Sequence, residues 1–205
     1  MRRKHSVSLA MAAAAVLVCG TVGFAAKAKF NKVVEIGAKA PVWKGLVGVD
    51  DKKHSLEDYK DAHVLVTVFT CNHCPVAVDY QDRLIQFTKD YQEKGVQVVA
   101  INVNNIEPDK LDKMKERAAE KGFNFPYLYD PTQKVGHDYG ATVTPHVFVL
   151  NKERAIAYMG AVDDNQNAEK VTKHYLRDAV NALLDGSRPA VAESQQFGCS
   201  IKYDN

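Results

Sequence analysis

Two cysteines separated by two residues, in Cys71-Asn72-His73-Cys74-Pro75, are the side chains of this sequence best suited by type and spacing to chemistry. An apolar run from His63 to Thr70 precedes them, and an amphipathic segment continues from them to about Lys94. That order predicts two thiols at the junction of a buried strand and a helix, close enough to form a disulfide without moving the backbone. Cys71, at the N-terminal end of the predicted helix, is expected to ionise readily. Unpaired backbone N–H groups and the helix dipole stabilise an anion there, and a charged His73 would add to the effect. A solvent-facing thiolate attacks a partner's disulfide, and the neighbouring sulfur then resolves the mixed disulfide.

Other uses of a C-x-x-C fit less well. Zinc needs four ligands, and the chain has no second C-x-x-C and no H-x-x-x-H. A c-type haem requires histidine directly after the second cysteine, where this chain has Pro75. A purely structural disulfide would close a two-residue loop and gain little chain entropy. No metal or cofactor is therefore expected at the motif.

The chain begins with a basic stretch, Arg2, Arg3 and Lys4, followed by a small, apolar and uncharged run from Val7 to Ala26, and then Ala26-Lys27-Ala28. This reads as an export signal over residues 1–28, cleaved after Ala28 or two to three residues earlier; a retained membrane anchor is the alternative. Val18 before Cys19 is bulkier than the residue that precedes a lipidated cysteine, and Lys4-His5-Ser6 lacks the apolar continuation of a twin-arginine signal.

Removing residues 1–28 takes away four positive charges and no carboxylate, so the formal charge changes from +2 to −2. The remaining lysines are interspersed with carboxylates, which excludes a nucleic-acid face. Cys71, Cys74 and Cys199 remain. An odd number of cysteines in an exported chain, two of them in a C-x-x-C, points to redox chemistry rather than to a disulfide framework.

The elements that must hold the motif follow in order. Asp50-Asp51-Lys52-Lys53 reads as the turn of an N-terminal hairpin, Ser55 as the cap of a short helix, and Trp43 as packing. After the motif come a buried strand, Val96–Val103, and a helix, Pro108–Lys121, with Gly122 just past its end. Phe125–Asp130 is a short extended piece and Gln133–Tyr139 a short helix. His146–Leu150 and Ala155–Met159 flank a turn and form an antiparallel hairpin, and Asn167–Leu184 is the last helix. Repeated strand–helix units with long crossovers imply an α/β layered sheet.

Taken together, Cys71-Asn72-His73-Cys74-Pro75, Ala100–Asn104, Phe125–Asp130, Thr144-Pro145-His146-Val147-Phe148, Gly160–Asn165 and Gly198-Cys199-Ser200-Ile201-Lys202 resemble the thioredoxin-like superfamily. Within it they are most similar to the redoxins, grouped with the alkyl hydroperoxide reductase and thiol-specific antioxidant family, in a peroxiredoxin-like branch. The likeness covers about residues 33–203. It implies a thioredoxin-like fold, a central mixed β-sheet flanked by helices with an N-terminal hairpin extension. The domain would span residues 33–187, with 188–205 a C-terminal tail that carries Cys199.

The same resemblance implies Cys71 as nucleophile and Cys74 as resolving thiol, supported by His73, Pro75, Thr144 and Pro145. Pro145 would be a cis-proline, and the backbone of Thr144 would offer hydrogen bonds to a bound peptide; a trans proline at the start of an edge strand is the other reading. Cys199 is either a packed small residue or a third redox thiol.

The main functional reading is an exported thiol-disulfide oxidoreductase, periplasmic or secreted. Its partners would be protein thiols or disulfides, or a small thiol, with an electron donor or acceptor of the same compartment. A thiol peroxidase is the second reading, but the Pro-x-x-x-Thr-x-x-Cys loop of typical peroxiredoxins fits neither cysteine, and no arginine lies in the loop. The absence of a carboxylate from His63–Thr70, together with His73, leans toward an oxidising potential. Copper binding through the cysteines with His137 or His146 is a third reading, although the cysteine spacing is one residue short. His54, His63 and His174 read as structural or solvated, and Asp163-Asp164-Asn165 as a turn with few ligands for calcium.

Overall fold

Val64, Val66 and Val68 point to one face of strand β3 (Val64–Phe69) and Leu65 and Phe69 to the other, and all of them are buried. A strand with apolar residues on both faces must lie inside a sheet covered on both sides. The structure, a computed structural model, describes residues 27–204, and β3 is central in it. On one side β3 pairs in parallel with β4 (Val96–Asn102), which pairs in parallel with β5 (Tyr127–Tyr129). On the other side it pairs antiparallel with β7 (His146–Leu150), followed by β8 (Ile156–Gly160). The N-terminal hairpin of β1 (Leu46–Gly48) and β2 (Lys53–His54) extends the sheet at β5, giving the order β2-β1-β5-β4-β3-β7-β8.

The helices divide between the faces. Leu84, Phe87 and Tyr91 of α2 (Gln81–Tyr91), Met114 and Ala118 of α3 (Leu111–Lys121) and Leu176 and Val180 of α5 (Tyr175–Leu184) pack on Val64, Val66 and Val68. Val135 and Tyr139 of α4 (Lys134–Tyr139), with Trp43, Leu56 and Tyr59, cover Leu65 and Phe69. Trp43 packs 6.0 Å from the Tyr59 ring, in keeping with its reading as a packing residue.

Three expected helices differ in extent. The helix after the motif is divided into α1 (Pro75–Asp79) and α2 at Tyr80, whose hydroxyl turns inward to donate to buried Asp163. The segment from Pro108 begins as a 3-10 turn, Glu107–Asp109, and Lys110 is extended before α3 starts at Leu111. The last α-helix starts at Tyr175 rather than Asn167, because the Asp164 carboxylate accepts from the backbone of Thr172 and Lys173 and folds that stretch into a loop. Gly122 ends α3 with a left-handed φ of 66°, as its position predicts.

The tail returns to the domain and completes it. Ser194 hydrogen bonds Met159, Ile201 is buried in the core, and the Ile201 backbone N–H donates to the Thr142 carbonyl at 3.0 Å. Between these anchors β9 (Cys199–Ser200) pairs antiparallel with β6 (Val143–Thr144), setting Cys199 opposite Thr144. The chain beyond residue 187 is therefore part of the packed structure, a return of which separation along the chain gave no sign. Of the expected export signal, residues 1–28, all but Lys27 and Ala28 lie outside the described residues. No helix among the described residues is long and apolar enough to cross a membrane.

Candidate active site

The motif lies at the C-terminal end of β3, where the chain leaves the sheet and turns into α1. Pro75 occupies the first turn of α1, where its missing N–H costs nothing. Cys74 is the N-cap of that helix and accepts from the Ala77 backbone N–H at 3.4 Å. The helix-terminus argument made for Cys71 thus applies to Cys74, because α1 starts after the second cysteine. The expectation of a solvent-facing Cys71 is also corrected: Cys71 and Cys74 are both 0% exposed. Cys71, Cys74 and Cys199, the cysteines among the described residues, are free thiols, and Cys199 packs against the pair as its half-buried, solvent-side member.

Thr144 lies opposite both sulfurs, on the residue before a cis peptide bond to Pro145. Its Oγ1 is 3.1 Å from Cys71 Sγ, and its carbonyl oxygen accepts from Cys74 Sγ at 3.2 Å. These two contacts favour a proton on Cys74. Stronger influences favour the opposite placement. The Cys71 thiol donating to Cys74, with smaller help from the Cys199 thiol and the Ala77 N–H, pulls Cys74 down to about 4. Cys71 is pushed well above the ordinary thiol range by that same hydrogen bond, then by burial and the Asp109 charge. The two titrate as a pair, and we place the first thiolate on Cys74 and the retained proton on Cys71.

A titration follows from this placement. The thiolate absorbance near 240 nm of the reduced protein should rise by one equivalent with a midpoint near pH 4. A folded-state pKa held below that of the unfolded chain adds stability that is full above the unfolded value. That contribution from Cys74 to the reduced protein should fall away as pH drops toward about 4.

The residue that sequence reasoning missed is Asp109, fully buried in the 3-10 turn before α3. Its Oδ1 accepts from the backbone N–H of Asn72 at 2.7 Å and of His73 at 3.1 Å, and its Oδ2 meets His73 Nδ1. Asn72 Nδ2 donates to the Pro108 carbonyl at 3.0 Å, so both inter-cysteine residues are latched to this turn. His73 is therefore neither free on the helix surface nor aimed at Cys71 alone; its ring is held by a carboxylate. That carboxylate lies 36 residues beyond His73 along the chain, so a search of the preceding strand for a buried acid could not find it.

Cys71, His73 and Asp109 bring three donor atoms within 4.8 Å of one another. The Asp109 oxygens already serve two backbone amides and an imidazole, which makes the group a hydrogen-bonded latch rather than an open cation site. Among the described residues, neither copper-ligand candidate joins the cysteines in such a cluster. His137 stacks on Tyr203 at 4.0 Å, and His146 is buried, its imidazole pushed down to about 3 by burial alone. Asp163 is engaged by Tyr80 and by Arg83 at 2.7 Å, and so holds the loop rather than an ion. No arginine is among the hydrogen-bond partners of either sulfur of the pair among the described residues.

A mixed sheet with helices on both faces and a cysteine pair at a strand–helix junction opposite a cis-proline defines a thioredoxin-like protein. Solved structures with that fold include a thiol:disulfide interchange protein DsbE from Chlorobium tepidum, described as putative, at TM-score 0.55 and 23% identity over 60% of this chain and 83% of that one. Two nearer structures have TM-scores of 0.79. One is a hypothetical protein from Sinorhizobium meliloti, 32% identical and covering 85% of this chain and 97% of that one. The other is an uncharacterized conserved protein from Geobacillus kaustophilus, 37% identical over 85% and 95% of the two chains. The Redoxin family model matches residues 35–176, and the chain belongs to the Redoxin family. Among named relatives, the thiol-disulfide oxidoreductase ResA of Geobacillus thermodenitrificans is 28% identical over 66% of this chain and 76% of its own. A Mycobacterium tuberculosis protein described as a putative peroxiredoxin is 32% identical over 63% and 78%. The family and these relatives make the chain an oxidoreductase in its general class.

Proposed function

We propose that this protein is an exported thiol-disulfide oxidoreductase that exchanges disulfides with protein or small-thiol partners through Cys71 and Cys74. The observation that carries this reading is the pair itself. Two reduced thiols pack together at a helix N-cap, with the hydroxyl and carbonyl of Thr144 against them. A thiolate on Cys74 reacts with a sulfur electrophile, and Cys71 then completes the Cys71–Cys74 disulfide and releases the partner as a thiol. Because the site stabilises the reduced form's thiolate, it favours a disulfide that gives up its oxidising equivalents readily. Export is inferred from residues 1–28, and the partners belong to the compartment that signal reaches.

The peroxiredoxin-like relative keeps thiol peroxidase as a second reading. The surroundings of the sulfurs favour exchange, since a peroxide would find Thr144 and a helix amide but no arginine among the described partners. Stopped-flow mixing of the reduced protein with insulin disulfides and, separately, with hydrogen peroxide tests the choice. Exchange with insulin faster than that of free cysteine, with peroxide consumption no faster than that of free cysteine thiolate at the same pH, is expected. Peroxide consumption orders of magnitude above the free thiolate would establish the peroxidase instead.

A further inference from the structure

The two sulfurs that the exchange reading requires are sealed from solvent, yet a third sulfur beside them is not. Cys199 lies in β9, directly opposite Thr144, and so takes up the backbone edge beside the pair that an extended partner segment would otherwise use. The strand is held on both sides. Ser194 is bound to Met159 and to Tyr158 at 2.7 Å, while Lys202 N–H donates to Asn104 at 2.7 Å and Ile201 is buried. Its approach is closer than a side chain permits: a Cβ on Gly198, where φ is +151°, would meet the Thr144 carbonyl oxygen at 2.0 Å. Glycine at this position lets the tail backbone lie against Thr144 and brings the next residue, Cys199, to the pair.

We propose that Cys199 is a third redox thiol that carries disulfide exchange between the buried Cys71–Cys74 pair and partners at the surface. This rests on the exchange reading above and specifies how partners reach it. In the first step the Cys199 thiolate attacks Cys74 Sγ of the Cys71–Cys74 disulfide. The Cys74–Cys199 bond forms as the Cys71–Cys74 bond breaks, and Cys71 leaves with the electron pair and takes up the proton that Cys199 gave up. A partner thiolate then attacks Cys199 Sγ, and Cys74 leaves as a thiolate at the helix N-cap. A second partner thiolate displaces Cys199 from the mixed disulfide. Two partner thiols have become one disulfide and the Cys71–Cys74 pair has been reduced; reduction of a partner disulfide follows the same steps in reverse. The stabilised thiolate of Cys74 makes it the good leaving group in the second step.

The test uses the purified protein and its variants Cys71→Ser, Cys74→Ser, Cys199→Ser and Gly198→Val, with oxidised glutathione and insulin as probes. Treated with oxidised glutathione, Cys71→Ser should lose two hydrogens and show Cys74 linked to Cys199 in a non-reducing peptide map, with no retained glutathione. Gly198→Val introduced into Cys71→Ser, which displaces the strand without removing a thiol, should instead retain glutathione on Cys74. In Cys199→Ser both oxidation of the Cys71–Cys74 pair by oxidised glutathione and exchange with insulin should be at least ~10-fold slower than in the wild type, since the route to the surface is lost. A stable glutathione adduct on Cys74 of Cys71→Ser beside a free Cys199, or wild-type insulin exchange by Cys199→Ser, would overturn the relay. Full insulin exchange by Cys74→Ser would overturn the dithiol reading as well, so the two failures are distinguishable.

Discussion

Cys74→Ser is expected to lower the rate of exchange with a protein disulfide by roughly 10³-fold or more, because it removes the sulfur that both attacks and leaves. The same variant should lose the absorbance step near pH 4. Cys71→Ser provides the contrast. A serine hydroxyl can still donate to Cys74, so that variant should keep a thiolate below the ordinary cysteine range while failing to form the Cys71–Cys74 disulfide. Ultraviolet titration beside insulin-reduction kinetics separates the two sulfurs. If Cys71→Ser loses the acid step and Cys74→Ser keeps it, the thiolate belongs to Cys71 and the roles implied by family resemblance stand over those drawn from the helix cap.

Asp109→Ala carries the largest expected loss of stability, about 3–5 kcal/mol, because it leaves the Asn72 and His73 backbone amides and the His73 ring without their shared acceptor inside the protein. Denaturant unfolding of the reduced protein checks it. Asp109→Asn keeps an acceptor oxygen and removes the charge, and should cost less, about 1–2 kcal/mol. The missing charge should bring the upper ionisation of the pair down, since Asp109 is one of the groups that raise Cys71. Asp109→Asn unchanged in its upper ionisation would show that the carboxylate latches the loop without acting on the thiols.

The sheet and the position of the pair were legible because short-range rules govern them. The apolar run of Val64–Phe69, the strand-to-helix order around Cys71 and the glycine after Lys121 each depend on residues within a few positions. The parts that were not legible depend on the return of distant chain. Asp109 reads locally as the first turn of a helix after Pro108, and only the fold brings it beneath Asn72 and His73. The burial of Cys71 follows from packing that includes Cys199 and from the helix beginning one residue after Cys74, a boundary that hydrophobic periodicity does not resolve. Cys199 was visible as a residue and invisible as a neighbour, since the stretch from Arg188 to Asn205 carries no periodic signal of where it docks.

The most direct measurement is the equilibrium of the purified protein with glutathione redox buffers at pH 7, read by mass spectrometry and non-reducing peptide mapping. A disulfide joining Cys71 to Cys74, formed with a potential above the roughly −270 mV of thioredoxin, is the predicted result. A lower potential would contradict the oxidising lean drawn from the stabilised thiolate, and a failure of Cys71 and Cys74 to pair at any buffer ratio would contradict thiol-disulfide exchange through this site.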